Sequence, residues 1–238
     1  MARCWWCGNH ANSAEHKYKK SDLKTLFGAG RYNNERSLII ASKGKKDLKL
    51  KGPNSKFVKF SPSLCEDCNN NKSQPMDIAY SEFIAHIAKN FLSSPPDIIE
   101  IDNIWKKDQQ DKIKCFFQYL TKNICCRLID AHQNIPSEAI RFLNNEITYC
   151  PFEITFHYNV NYTAMNILAQ QYTPIEGTSE LHSYTENGTL TAIFSMIYFN
   201  WLAIKWTYYT DMKLITEPSS ISYFSFPQIT TTIHHSLM

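Results

Sequence analysis

Four of the eight cysteines form two Cys-x-x-Cys pairs, Cys4-x-x-Cys7 and Cys65-x-x-Cys68, each followed at once by a turn-forming residue, Gly8 and Asn69. Two such pairs are a layout for tetrahedral zinc, because each sets two thiolates on one tight turn and a single ion then joins turns far apart in the chain. Closing that loop constrains the fold strongly, since metal affinity becomes folding free energy. The gap between the pairs exceeds the roughly 15–20 residues of a simple zinc ribbon, which leaves room for working parts inside it. Separate burial of the four cysteines explains the pattern less well. So does redox catalysis, which needs only one Cys-x-x-Cys. Cys115, Cys125, Cys126 and Cys150 lack ligand spacing, stand in apolar stretches and read as core residues.

A chain of 238 residues with 43% hydrophobic side chains can bury a real core in one large domain or two modest ones. Its net charge of +3 hides an asymmetry. Residues 1–75 hold 15 of the 25 basic and 6 of the 22 acidic side chains, a balance of +9. The remainder, 10 basic against 16 acidic, stands at −6. A basic front half is the electrostatic footprint expected for a phosphate-rich partner. The most apolar stretch, Ala192–Ile204, falls short of the ~20 residues a spanning helix needs, and Asn200 and Lys205 interrupt it, so no membrane association is expected. The start Met-Ala-Arg-Cys-Trp-Trp-Cys-Gly lacks the apolar run of a signal peptide. The expected location is the cytoplasm, with cysteines reduced or metal-bound.

Residues 28–60, rich in Gly, Asn, Ser and Lys, read as loops and short strands. A helix is predicted over 73–92, with Ser73 as cap, Pro75 in the first turn, Asp77 at the positive end, and Met76, Tyr80, Phe83, Ile84, Ile87 and Phe91 at helical spacing. Ser93-Ser94-Pro95-Pro96 breaks the chain and sets a boundary between residues 1–92 and 93–238. Beyond it, helices are predicted over Gln109–His132 and over Ser137–Asn145, the second capped by Ser137. Ile154, Phe156, Tyr158 and Val160 then alternate with polar residues as in a strand, and Asn187-Gly188 signals a hairpin. Residues 189–210 and 213–226 read as further strands, with Trp201, Trp206, Tyr208 and Tyr209 as core. His234-His235 reads as a tail without a role.

Between the cysteine pairs lies Glu15-His16. Adjacent residues on an extended strand point to opposite faces. Hydrolysis of a phosphodiester asks for a carboxylate that holds a divalent cation and a neutral imidazole that takes a proton from water. The order Cys4-x-x-Cys7, Glu15-His16, Cys65-x-x-Cys68-Asn69 resembles the HNH (ββα-metal, His-Me finger) endonucleases, in particular the zinc-bearing type similar to phage endonuclease VII. The stretches from Glu15 to Leu23 and from Leu64 to Lys72 carry the same resemblance, which covers residues 1–92. It implies an α+β chain: an N-terminal zinc-stapled ββα-metal module, followed by a second part that the periodicity makes helical and then antiparallel β. It implies structural Zn²⁺ on the four cysteines, catalytic Mg²⁺ or Mn²⁺ on Glu15 and Asn69, and His16 as general base. Asn70, Asn71 and Asp77 stand near enough in sequence to complete the cation site instead of Asn69. Many members carry Asn-Leu shortly before the second cysteine pair. Here that stretch is Phe60-Ser61-Pro62-Ser63-Leu64, so the residue that orients His16 is unassigned.

The expected activity is metal-dependent endonucleolytic cleavage of DNA, with RNA as an alternative substrate, leaving 5′-phosphates. Lys17, Lys19, Lys20, Lys72 and the Lys43–Lys51 cluster would grip the backbone without reading sequence. Trp5, Trp6 and Tyr18 could stack on bases, although packing around the zinc suits the tryptophans better. A double-strand cut needs two active sites, which a homodimer or a partner protein would supply. By family analogy such nucleases serve bacterial restriction, antiphage defence or DNA processing. The competing readings are a zinc-finger module that binds nucleic acid without cutting it and a protein-interaction module built on residues 93–238.

Overall fold

The computed structural model describes residues 2–32, 38–40, 47–90, 96–160, 162, 164, 174, 176–210, 217, 218 and 221–225. Lys43, Lys45, Lys46, Phe91, the Ser93–Pro95 break, residues 213–216 and His234-His235 lie outside the described residues.

Residues 13–17 run antiparallel to 58–64, with Ser13 opposite Leu64 and His16 opposite Lys59. Phe60 N donates to Glu15 O at 2.9 Å and Lys17 N to Val58 O at 2.7 Å. The chain between these segments carries helix α1 (Lys20–Phe27) and two short paired strands, β1 (Leu38–Ile40) and β2 (Leu48–Leu50). Leu23, Tyr32, Leu50 and Val58 close a small core of their own beneath this loop. After Cys65 the chain makes a wide π-helical turn, Asp67–Asn71, and enters α2 (Gln74–Asn90). Met76, Tyr80, Phe83, Ile84 and Ile87 form its buried stripe, the face that the helical spacing predicts. Ser73 does not cap this helix. Residues 67–72 are already helical, and the Ser73 hydroxyl instead donates to Asn69 O at 2.8 Å and meets Asp77 Oδ2 at 3.0 Å.

Strand β3 (Ile98–Glu100) and the short α3 (Ile101–Ile104) lead to α4 (Gln109–Asp130), which packs along α2. Helix α5 (Ser137–Leu143) follows, with Pro136 in the capping position and Ser137 already inside the first turn, so Ser137 is not its cap. Proline suits this place because a helix start has no use for the missing N–H. Five antiparallel strands form the largest sheet of the described residues: β4 (Glu153–Tyr158), β5 (Glu176–Thr178), β6 (His182–Glu186), β7 (Thr189–Phe199) and β8 (Leu202–Tyr209). Their order is β4-β8-β7, with β5 and β6 both along the far side of β7. The Asn187-Gly188 turn joins β6 to β7 with φ of 49° and 78°, the left-handed pair that matches strand twist. A last strand, β9 (Tyr223–Ser225), returns to pair with β3.

One cluster of buried side chains runs from Cys4 to Phe224 and crosses the expected boundary at 92/93. Its centre is aromatic. Phe83 of α2 lies 4.6 Å from Phe116 of α4 and 5.1 Å from Phe224 of β9, and Phe224 lies 4.6 Å from Phe156 of β4. Residues 1–92 and 93–238 therefore share a core, and each leaves an apolar face bare without the other. Cys125, Cys126 and Cys150 are buried in this core, and Cys115 is half-buried, as their apolar settings predict. Trp201 and Trp206 are buried with them. No helix of the described residues is long and apolar enough to cross a membrane.

Candidate metal centre and cleft

Cys4, Cys7, Cys65 and Cys68 converge, with all four sulfurs within 4.8 Å of one another. The first pair sits on a turn closed by Gly8 N to Cys4 O at 2.8 Å, with Gly8 at φ 81°, where a side chain would strain the backbone. The second opens the helical entry, and Cys68 N points at Cys65 Sγ at 3.4 Å. Cys7 Sγ and Cys65 Sγ are 3.5 Å apart. Tetrahedral zinc with bonds of ~2.3 Å spaces its sulfurs by about 3.8 Å, so the four cysteines stand close enough together to hold a zinc ion. Burial and the neighbouring sulfurs push the Cys68 thiol up, while the Cys68 amide pulls Cys65 down. Four sulfurs this close cannot all ionise without a cation among them. Trp5 and Trp6 stack beside the cluster at 6.1 Å, and Trp6 Nε1 donates to Asn144 Oδ1 at 2.8 Å. Both tryptophans are packing residues here.

Next to the cluster, the two antiparallel segments and the start of α2 enclose an open cavity of about 820 Å³. Glu15, His16, Asn69, Asn70 and Asp77 all line it, together with Lys19, Lys20, Lys24 and Lys59. Glu15 and His16 do not end on opposite faces. Glu15 Oε1 turns back to accept from His16 N at 2.9 Å, and both side chains reach the same cavity. Asn69 Nδ2 donates to Ser13 Oγ at 2.9 Å, which fixes the amide. Asn69 Oδ1 and His16 Nε2 are occluded and have no hydrogen-bond partner among the described residues. Asn71 lies away from the cavity, with its amide on Asp67 Oδ1 at 3.0 Å. Burial lowers the affinity of His16 for a proton, Glu15 opposes this, and Lys59, Lys20 and Lys122 add to it, so the net shift is downward. The imidazole is thereby neutral at pH 7.

Of Lys17, Lys19, Lys20 and Lys72, only Lys20 stands on the cavity rim without an ion-pair partner among the described residues. Lys17 pairs with Asp130 at 3.1 Å. Lys19 pairs with Asp77 Oδ1 at 2.8 Å and lies over the Tyr119 ring at 4.4 Å. Lys72 lies over Trp6 at 5.9 Å. Lys24 and Lys59 line the cavity as well.

Two residues of α4 that sequence reasoning missed reach the site. Lys122, fully buried, meets Glu15 Oε2 at 2.5 Å and Asp77 Oδ2 at 3.3 Å, and donates to Ser73 Oγ at 3.1 Å. Burial works against its charge, but Glu15 and Asp77 outweigh that and hold the ammonium above the usual lysine range. For Asp77, burial works against the carboxylate, while Lys122 and Lys19 draw it below the ordinary range. Asn123 Nδ2 donates to His16 O at 2.9 Å and fixes the backbone that carries the imidazole. The only hint in the sequence is a polar run, Gln118 and Thr121 to Asn123, inside the mainly apolar middle of the helix; all four residues are buried.

No protein-family model, curated protein or solved structure matches the chain.

Proposed function

We propose that this chain is a zinc-stapled, metal-dependent endonuclease of the HNH kind that hydrolyses phosphodiester bonds of DNA. The observation that supports this reading is the convergence of Glu15, His16 and Asn69 on one basic-rimmed cavity beside the four cysteines. They meet there although Asn69 lies far along the chain from the other two. In this reading zinc on Cys4, Cys7, Cys65 and Cys68 clamps the ends of the two segments that build the cleft. Glu15 and Asn69 Oδ1 would hold a divalent cation, which supplies Lewis-acid stabilisation of charge on the phosphate and the leaving oxygen. His16, neutral, would take a proton from water. The water oxygen bonds to phosphorus in line, the bond to the 3′-oxygen breaks, and that oxygen takes a proton from solvent, leaving a 5′-phosphate. Asn123 steadies the base through its backbone. Lys20, Lys24 and Lys59 attract the phosphate chain without reading its sequence.

The test is cleavage of plasmid DNA by the wild type and His16→Ala, with and without Mg²⁺ or Mn²⁺, with zinc assayed in both. Nicking by the wild type alone, only with metal, and about one zinc per chain in both proteins supports the reading. A metal-loaded wild type that cuts neither DNA nor RNA defeats it. One observation favours a second reading, a non-cleaving nucleic-acid-binding module: both Glu15 oxygens are already engaged, one by the His16 amide and one by Lys122. A protein that retards DNA on a gel equally with and without divalent metal, and never cuts it, fits that reading instead.

A further inference from the structure

Lys122 comes from the half of the chain that carries no resemblance to nucleases, yet its ammonium sits on the carboxylate assigned to the cation. The three hydrogens of that ammonium have three acceptors, Glu15 Oε2, Asp77 Oδ2 and Ser73 Oγ. It is fully buried and its contacts are short, so water and salt screen it little. Glu15 is itself almost fully buried. A divalent cation on Glu15 must therefore share the carboxylate with a fixed positive charge at contact distance. Unlike charges attract and like charges repel most where solvent is excluded. The ammonium holds Glu15 and Asp77 in place and neutralises part of their charge when no metal is bound, and the same charge opposes the metal.

We infer that Lys122 is a positioning residue that competes with the divalent cation for Glu15 and so sets the metal affinity of the cleft from outside the nuclease-like segment. This rests on the cation-site assignment proposed above, but not on cleavage. Removal of the ammonium leaves Glu15 without a charge partner beside Asp77, which keeps its pairing with Lys19, and so makes a stronger cation site. A purely structural lysine would leave metal affinity unmoved.

The test measures Mn²⁺ binding to full-length, zinc-loaded protein by electron paramagnetic resonance, with no substrate present. Lys122→Gln binds Mn²⁺ about tenfold or more tightly than the wild type, since one unit of charge is removed at contact distance in a poorly solvated site. Should Lys122→Gln fold only when Mn²⁺ is present, the cation has replaced the ammonium, which also supports the inference. A pair of variants that both lack the Asp77 carboxylate covers the case in which it does not fold at all. Asp77→Asn and Asp77→Asn/Lys122→Leu have lost the same acid and differ only in the ammonium, and the double variant binds Mn²⁺ the more tightly. Equal or weaker Mn²⁺ binding without the ammonium, in either comparison, overturns the inference. Wild type and variants that all bind Mn²⁺ equally, with Glu15→Gln binding no worse, overturn the cation-site assignment itself. Metal-dependent differences without DNA cleavage leave the competition standing and remove only the nuclease.

Discussion

The cysteine end and the sheet end of this molecule are held together by different means. Residues 2–32, 38–40 and 47–72 contain one α-helix, two short helical turns of other kinds, two strands of three residues and isolated bridges, so few backbone groups there form long ladders. What adds to their small apolar core is charge and sulfur: four cysteines within 4.8 Å, ion pairs at Lys17, Lys19 and Lys122, and a buried carboxyl at Asp22. The β4-β8-β7 sheet is the reverse. The β7–β8 pairing runs unbroken from Ala192–Tyr209 to Phe199–Leu202, and the side chains buried along it are mostly apolar, Ser195 and Thr207 excepted. The difference teaches where function can be housed. Irregular backbone leaves carboxylates, imidazole and amide free to converge, and it needs cross-links in place of ladders.

If that comparison holds, the largest effect follows loss of the cysteine cross-link. Site-bound zinc contributes on the order of 10 kcal/mol, which is folding free energy for the segments it joins. Cys65→Ser is expected to abolish zinc binding and to strip hydrogen-exchange protection from residues 2–72 while β7 and β8 keep theirs. Uniform protection in the variant would show that the shared core, not the metal, holds the front half.

A middle-sized effect is expected at Asp22. Burial raises its carboxyl from 3.8 to about 6, against the pull of Lys19 and the Ser21 hydroxyl. The group binds a proton more tightly folded than unfolded. Its contribution is therefore fully present below about pH 4 and is lost as pH rises through about 6. Asp22→Asn keeps the shape without the charge. It is expected nearly to match the wild type at pH 4 and to exceed it by about 3 kcal/mol at pH 7, as the rise from 3.8 to about 6 counts ~1.4 kcal/mol per pKa unit. Urea unfolding at both pH values measures this, and a variant less stable than wild type at pH 7 would mean that the carboxylate is used charged.

The smallest effect belongs to the sheet. At Gly188, φ is 78° and a Cβ would meet nothing within 4 Å, so Gly188→Ala pays only for left-handed backbone. The expected loss is about 1 kcal/mol. A several-fold larger drop in the urea midpoint would make the sheet as brittle as the cysteine end and erase the contrast.

Local signals carried much of the fold. Helical spacing with polar ends located α4 to within two residues at its C-terminus, Asp130 against an expected His132, because a long amphipathic stripe has one period. Asn-Gly located the β6–β7 hairpin because few other dipeptides accept two left-handed residues. The caps were less legible. Ser73 and Ser137 have the right chemistry for a helix start, but the turn before α2 is already helical and Pro136 precedes α5, so neither hydroxyl is called on. The pairing of β3 with β9 joins residues 98–100 to 223–225, and nothing in either short apolar run names its partner.

The sequence by itself determined the pieces whose physics is local: two cysteine turns with ligand spacing, an acid next to a histidine, an asparagine after the last cysteine, and helices and hairpins with characteristic periods. The tertiary structure decided what charge these pieces meet. A lysine on a helix is ordinarily solvated, and periodicity does not reveal which neighbour covers it. Only the packing of α4 along α2 carries Lys122 into contact with Glu15 and Asp77. Such a charge is tolerated in a dry interior because two carboxylates and a hydroxyl surround it, and those partners come from parts of the chain that only folding brings together.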